Sequence, residues 1–168
     1  MLELLLDYMS IFLHSDVYWP VFAVLFSTIV LIYTRDKKIY ALALMLIVVS
    51  VPLVKDIFAE ARPCESIPGR VDCPLDNGFP SQHTAIATTW LLAVIGSKAF
   101  KPYLLLFLAI AFSRIWLGVH SIDQVIGGVA FASLLYFLVF DVKNRFDKSD
   151  FGFIRKHQGL QHGFVFEE

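Results

Sequence analysis

Three short polar clusters interrupt an otherwise apolar chain, and together they contain the residue types that phosphoryl transfer needs. The first is KDIFAEARP at residues 55–63, the second is PSQH at residues 80–83, and the third is SRIWLGVH at residues 113–120. Ionisable groups in or near a membrane core are costly to keep, so each cluster is a candidate functional site. One cation at a helix end can simply extend to the interface, but three clusters are harder to explain in that way.

The clusters supply cations and a potential anion site. Lys55, Arg62 and Arg114 have no matching acids close in sequence apart from two in the first cluster. A phosphate group would neutralise these cations, and the forked guanidinium donors suit its oxygens. Lys55 and Arg62 are seven residues apart, so they share a face if the helix continues between them. Ser81 and the backbone N–H of Gln82 lie where a helix is predicted to begin, and helix N-termini bind anions.

Two histidines complete this set. One of His83 and His120 could attack phosphorus while the other protonates the departing oxygen, because imidazole titrates near neutrality. Neither histidine has the neighbouring carboxylates of a two-metal phosphatase, and Asp123 alone would hold a metal poorly. We therefore predict a site without metal or other cofactor.

The composition indicates a membrane protein. The chain has 168 residues, of which 57% are hydrophobic and 17% charged, whereas soluble domains have about 25% charged residues. A chain this short cannot bury so much apolar surface in a core, which favours a lipid-facing exterior. The net charge of −1 and the lack of a basic stripe argue against a nucleic-acid partner.

Apolar stretches predict an all-α, polytopic bundle of five transmembrane helices, since about 20 apolar residues span a bilayer. The predicted spans are residues 17–34, 39–58, 84–97 (extended by 81–83), 102–119 and 122–142. Residues 1–13 form either an amphipathic helix in the outer interface or an extension of the first span. They contain Glu3 and Asp7 and lack the positive region of a cleavable signal peptide, so the first span is expected to be retained.

Positive charges predict the orientation, since Lys and Arg accumulate in cytoplasmic loops. Five spans place three basic regions on one side: Arg35, Lys37 and Lys38; Lys98 and Lys101; and Lys143, Arg145, Lys148, Arg155 and Lys156. The three polar clusters then lie at the outer face. Residues 1–142 are predicted to be a membrane-embedded domain, and residues 143–168 a cytoplasmic tail that is partly disordered.

The clusters resemble the signature of the type 2 phosphatidic acid phosphatase superfamily, the lipid phosphate phosphatases. That pattern is K-x6-R-P, then P-S-G-H, then S-R-x5-H-x3-D, and the likeness extends from Lys55 to about Gly128. The resemblance implies that His120 is the nucleophile and forms a phosphohistidine, and that His83 is the general acid. It assigns phosphate binding to Lys55, Arg62, Ser81, Arg114 and the amide of Gln82, which stands where the family usually has glycine.

The sequence departs from this pattern behind the nucleophile. The family usually has Asp four residues after the histidine, where it orients the ring, but this chain has Gln124 there and Asp123 one residue earlier. Gln124 could orient His120 through its amide oxygen, as in the dolichyl diphosphatase and glucose-6-phosphatase branches. Asp123 could reach the same ring, because positions three and four apart on a helix both neighbour the first. Gln124 is the favoured interpretation.

Cys64 and Cys73 lie in the predicted outer loop between the first two clusters. Extracellular compartments permit disulfides and this loop is short, so we predict a disulfide, with two free thiols as the alternative.

The resemblance implies a metal-independent phosphatase that acts on a lipid phosphate. The predicted topology places its site at the outer face, and the small size of the chain favours the plasma membrane. Gln124, the short chain and the small outer loop favour a polyprenyl (undecaprenyl or dolichyl) diphosphate, whose hydrolysis would recycle a glycan carrier lipid. Phosphatidate and phosphatidylglycerophosphate are the alternative substrates. A transporter or lipid-binding protein is the non-enzymatic alternative, but it would not need both histidines. The sequence leaves the oligomeric state open.

Overall fold

Seven helices make up the part of the chain that the structure describes. The computed structural model describes the backbone of residues 1–15 and 18–161, and the side chains within those ranges except at residue 2 and residues 147–161. In order, the helices are α1 (Leu2–His14), α2 (Tyr18–Tyr33), α3 (Lys37–Phe58), α4 (Pro63–Ser66), α5 (Gln82–Ala93), α6 (Phe100–Trp116) and α7 (Ile122–Gln161). No strand occurs within the described ranges, so the all-α prediction is confirmed for them.

Two of the described helices are long and apolar enough to cross a membrane by length and composition: α3, and the part of α7 from Ile122 to Phe146. Helices α1 and α2 make a third candidate if they are counted as one span bent by 79°. Helix α5 has only 12 residues, which is about 18 Å of helix. The predicted number of five spans therefore remains a prediction. The apolar exterior agrees with a lipid environment, since side chains such as Ile32, Leu105 and Phe137 are largely exposed.

Helix α5 lies at the centre of the bundle and packs against α3, α6 and α7. Trp90 is fully buried in its middle, and its indole N–H donates to Ser27 Oγ of α2 at 2.9 Å. The hydroxyls of Thr88 and Thr89 donate to carbonyls four residues back in the same helix, which satisfies them inside the core. The start of α5, which carries the PSQH cluster, is therefore held by three neighbouring helices.

A glycine allows the start of α5 to sit directly on α7. A Cβ at Gly128 would lie 2.6 Å from the carbonyl oxygen of Ser81 and 3.3 Å from Cβ of Thr84. The close approach also lets the amide of Ser81 donate to the carbonyl of Gln124 at 3.0 Å. The second and third polar clusters are brought together by this contact.

Helix α3 ends earlier than a shared helical face for Lys55 and Arg62 would require. Its last residue is Phe58, and Ala59 adopts the left-handed conformation with φ of 47°. The chain then turns, and Pro63 is the first residue of α4. The condition for a shared helical face is therefore not met, and Arg62 reaches the site from the turn.

The first and last helices, α1 and α7, bear on the predictions for residues 1–13 and for the segment after residue 142. Helix α1 packs against α6 as well as α2, and it forms either a separate helix or one arm of a span that bends by 79°. Helix α7 continues from the predicted fifth span through residue 142 to Gln161. The predicted tail thus begins within a helix, and residues 162–168 lie outside the described part of the chain.

Candidate active site

The three polar clusters meet around one cavity of about 570 Å³. Residues of α1, α2, α3, α5 and α6 line it, together with residues from the segments between helices. Six of the residues expected from sequence line it: Lys55, Arg62, Gln82, His83, Arg114 and His120. Helices far apart in the sequence therefore converge on a single cationic cavity that contains two histidines.

Two of the cations share one carboxylate, which belongs to none of the three sequence clusters. The side chains of Lys55 and Arg62 are about 95% buried, and both form ion pairs with Asp76. Arg62 Nη2 donates to Asp76 Oδ1 at 2.7 Å, and its Nε donates to the Asp76 carbonyl at 2.8 Å. Partial burial alone would raise the pKa of Asp76, but the hydrogen bond from Lys55 and the charges of both cations lower it below its ordinary value of 3.8. Asp76 is therefore an anion that neutralises the predicted phosphate-binding pair.

Arg114 is the third cation and is fully buried at the end of α6. Its Nε and Nη2 donate to Ser113 Oγ at 3.1 and 3.0 Å, which fixes the plane of the guanidinium. Its Nη1 lies 3.2 Å from Nδ1 of His14, the last residue of α1. Helix α1 thus contributes a third histidine to the cavity, which sequence spacing could not reveal because residues 14 and 114 are distant in the chain.

His120 lies between two partners that determine its tautomer. Its Nε2 is 3.0 Å from Nη1 of Arg62, and its Nδ1 is 2.9 Å from Oε1 of Gln124. A guanidinium can only donate, so Nε2 accepts a hydrogen bond and Nδ1 carries the proton. Burial is the main reason that the pKa of His120 falls to about 3, and the positive charge of Arg62 adds to it. The imidazole is therefore neutral at physiological pH, with its lone pair on the nitrogen that faces the cations.

The structure places Gln124, and not Asp123, against the ring of His120. Gln124 is almost fully buried, whereas Asp123 is exposed in the first turn of α7. Gln124 Nε2 donates to Glu60 Oε1 at 2.8 Å and to the carbonyl of Ala61 at 2.9 Å. Glu60 belongs to the first cluster, but its contact with Gln124 joins residues 64 apart and was not anticipated.

His83 lies on the other side of the cavity, in the first turn of α5. Its ring packs against Trp19 of α2 with a centroid distance of 4.1 Å. Its Nε2 is buried and has no hydrogen-bond partner among the described residues. Buried polar atoms are nearly always paired in folded proteins, so this nitrogen is a candidate for contact with a ligand.

Ser81 lies beside the cavity as the residue that precedes α5. It is fully buried, and its hydroxyl lies 3.1 Å from the hydroxyl of Thr84. Gln82 is half-buried and lines the cavity directly. The first turn of α5 therefore contributes Gln82 and His83 to the cavity lining, whereas Ser81 is not among the residues that line it.

Cys64 and Cys73 form a disulfide in the structure, with a Cα–Cα distance of 5.5 Å. Cys64 is buried against Leu117 and Val119 at the end of α6. The disulfide therefore joins the loop that leads to Asp76 to the short helix that follows Arg62.

No group of three or more His, Cys, Asp or Glu side chains is arranged to hold a metal ion in the part of the chain that the structure describes. Three cations, Lys55, Arg62 and Arg114, and one carboxylate, Asp76, line the cavity, and this excess of positive charge attracts an anion.

Comparison with known proteins identifies the family. The PAP2 superfamily matches residues 36–148, a region that contains all three clusters. The chain belongs to the PAP2 superfamily, and this confirms the family-level resemblance found in the sequence. No curated protein sequence matches the chain.

A solved structure shows the same fold at low sequence identity. It is the crystal structure of the first transmembrane PAP2 type phosphatidylglycerolphosphate phosphatase from Bacillus subtilis, with a TM-score of 0.62 and 18% identity. The alignment covers 86% of this chain and 77% of that one. Family and fold together support an integral membrane protein with phosphatase activity toward a lipid phosphate.

Proposed function

We propose that this protein hydrolyses the phosphate of a membrane lipid through a phosphohistidine at His120. The observation that carries the proposal is the neutral imidazole of His120, whose Nε2 faces Arg62 in a cavity that also contains His83. Nε2 would attack phosphorus as the bond to the leaving oxygen breaks. Lys55, Arg62 and Arg114 would stabilise the charge of the transferring phosphoryl group, together with Ser81 and the amide of Gln82.

His83 would give its proton to the leaving oxygen in this step. It would then take a proton from the water that attacks the phosphohistidine, so that inorganic phosphate leaves and His120 returns to its neutral form. The unpaired Nε2 of His83 supports this role, because it can reach a substrate atom without first breaking a hydrogen bond to another described residue.

A lipid substrate is supported by an apolar cleft that adjoins the cavity. The cleft has a volume of about 470 Å³ and lies between α2, α3 and α5. It shares Ala23, Val24, Val48 and Ile86 with the wall of the cationic cavity. A phosphate bound by the cations could therefore extend its apolar chain between α2 and α3.

Within lipid phosphates, we favour a polyprenyl diphosphate as substrate, which would yield the monophosphate and recycle a carrier lipid. Gln124 beside His120 supports this choice, together with the small outer loop. Phosphatidylglycerophosphate and phosphatidate are the second candidates, because the solved relative is described as a phosphatidylglycerolphosphate phosphatase. A protein that only binds or transports lipid would need the cations but not the two histidines.

We further propose that the site faces the outside of the plasma membrane, with the helical segment after residue 142 in the cytoplasm. The disulfide beside the site supports an oxidising compartment at this end of the molecule. The basic residues at the start of α3, between α5 and α6, and after residue 142 belong to the opposite helix ends.

Release of inorganic phosphate from the purified protein tests this function. We expect hydrolysis of polyprenyl diphosphate in detergent or vesicles, with a rate that excess EDTA does not change. Phosphatidate and phosphatidylglycerophosphate assayed in parallel would rank the substrates. Activity that disappears with EDTA and returns with a divalent metal would contradict the proposed mechanism, and no hydrolysis of any of the three lipids would contradict the function.

Asp76 offers a separate prediction, because a phosphate that binds Lys55 and Arg62 must take the place of its carboxylate. We expect Asp76→Asn to lower the inhibition constant for inorganic phosphate about tenfold, since charged hydrogen bonds contribute roughly 1.5–3 kcal/mol. The same variant should unfold at a lower temperature, because two buried cations lose their counter-ion. Added phosphate should restore much of that loss.

The matched control is Asp72→Asn, which removes a charge from an exposed position in the same loop. Asp72→Asn should change neither the inhibition constant for phosphate nor the increase in unfolding temperature that added phosphate produces. Weaker phosphate inhibition in Asp76→Asn would show instead that Asp76 helps to organise the cations for substrate.

A further inference from the structure

Glu60 makes a contact that neither the mechanism above nor the family pattern uses. It lies in the turn after α3, and its Oε1 accepts a hydrogen bond from Nε2 of Gln124 at 2.8 Å. The side chain is largely exposed, yet its carboxylate is directed at a buried amide. The backbone of Glu60 is fixed as well, since the amide of Gly78 donates to its carbonyl at 2.7 Å.

This contact determines the orientation of the Gln124 amide. Nε2 faces two acceptors, the Glu60 carboxylate and the carbonyl of Ala61, so it must be the NH₂ group. Oε1 is therefore the atom that accepts from Nδ1 of His120 at 2.9 Å. Rotation of the amide would point NH₂ at the proton on Nδ1 and an oxygen at a carboxylate. Both changes are unfavourable in a buried site.

Close packing leaves the Gln124 side chain little alternative space. A Cβ at Gly78 would lie 2.3 Å from Nε2 of Gln124, so the glycine allows the loop to lie directly against the amide. Gly78 therefore both holds the backbone of Glu60 and encloses the side chain that Glu60 contacts. Glu60, Gln124 and His120 form a continuous hydrogen-bonded chain.

We propose that Glu60 is a positioning residue that supplies, through Gln124, the negative charge that the family pattern places four residues after the histidine. This inference rests on the proposed function of His120. When Nε2 bonds to phosphorus, the ring keeps its proton on Nδ1 and becomes positively charged. The neutral amide of Gln124 cannot balance this charge, whereas the Glu60 carboxylate can polarise the amide and stabilise the charge one group away. The positive charges of Arg62 and Lys55 also disfavour a positive charge on the His120 ring. A nearby negative charge is therefore needed more.

Substitutions that exchange the carboxylate of Glu60 and the amide of Gln124 test the proposal. Glu60→Gln keeps an oxygen acceptor for Gln124 but removes the charge, and we expect kcat to fall about tenfold. KM should not change, because Glu60 does not touch the cavity. Gln124→Asp alone places two carboxylates side by side and should also lower kcat. The double variant Glu60→Gln/Gln124→Asp moves the charge next to the ring, and should be more active than Gln124→Asp alone.

Asp56→Asn is the matched control. Asp56 is exposed on α3, four residues before Glu60, so the substitution removes a carboxylate charge close to Glu60 at a residue that does not contact Gln124. It should retain wild-type kcat. Rapid-quench measurement of phosphohistidine formation should locate the defect of Glu60→Gln in that step, with an unfolding temperature close to the wild-type value.

Two results would overturn the inference. The first is a kcat of Glu60→Gln within twofold of the wild-type value. The second is a double variant whose reduction in kcat equals the product of the reductions in the two single variants. Wild-type protein measured in the same assay separates the two hypotheses: if it releases no phosphate the proposed function fails, whereas an active wild type with an unaffected Glu60→Gln variant refutes only the role of Glu60.

Discussion

Replacement of His120 by alanine is expected to abolish phosphate release. Removal of a catalytic nucleophile lowers kcat by several orders of magnitude, on the order of 10⁴ to 10⁶. The remaining cations would still bind the phosphate, so substrate affinity should change little. The physical reason lies in the position of Nε2, the ring nitrogen of His120 that keeps its lone pair and faces Arg62.

Trapping of the intermediate makes this prediction specific. A phosphohistidine is stable in base and labile in acid, so brief incubation with labelled substrate should yield an adduct with that profile at His120. His120→Asn is a useful companion, because its amide NH₂ can still donate to Gln124 and preserve the fold. Normal turnover by either variant, or an adduct that persists in both, would show that another group attacks phosphorus.

Replacement of His83 by alanine is the second large effect that we expect, and its size should depend on the leaving group. General acid catalysis contributes about 10² to 10⁴ in rate. A lipid alkoxide needs a proton as it departs, so hydrolysis of phosphatidate by the variant should fall by about that factor. A nitrophenolate leaves readily without a proton, so cleavage of a nitrophenyl phosphate should be affected much less at the first step. A diphosphate should lie between the two.

His14 provides the matched comparison for this experiment. It lines the same cavity, and its Nδ1 lies 3.2 Å from Nη1 of Arg114. We expect His14→Gln to lower the rates for all three substrates by a similar factor. If His83→Ala also lowered the rates for all three substrates by a similar factor, His83 would have an electrostatic or structural role. That result would contradict proton transfer by His83.

Most of the ionisable residues that line the cavity could be predicted from the amino-acid sequence. Lys55, Arg62, His83, Arg114 and His120 could be found because each belongs to a short motif with fixed internal spacing. Their membrane setting could be predicted as well, since long apolar stretches are a local property of the chain. The same local signals could not settle the number of spans, because α5 is short and α1 and α2 are separated by a sharp bend.

Partners from distant parts of the chain required the tertiary structure. Asp76 pairs with cations 21 and 14 residues away, and Glu60 reaches across 64 residues to Gln124. Sequence spacing reports on neighbours within a few helical turns, and the positions of these groups depend on how the helices pack. The left-handed turn at Ala59 also had to be seen, because it directs Arg62 into the cavity after α3 has ended.

The choice between Gln124 and Asp123 shows most clearly what the sequence predicted and what the tertiary structure decided. Both residues are within reach of His120 on a helix, so the sequence favoured Gln124 but left Asp123 as an alternative for orienting the ring. The start of α7 at Ile122 and its close packing on α5 at Gly128 decided that Gln124 is buried against His120 while Asp123 is exposed. The sequence thus predicted the groups that we propose carry out the chemistry, and the packing of the helices determined which groups contact them, because those contacts depend on distances between elements far apart in the chain.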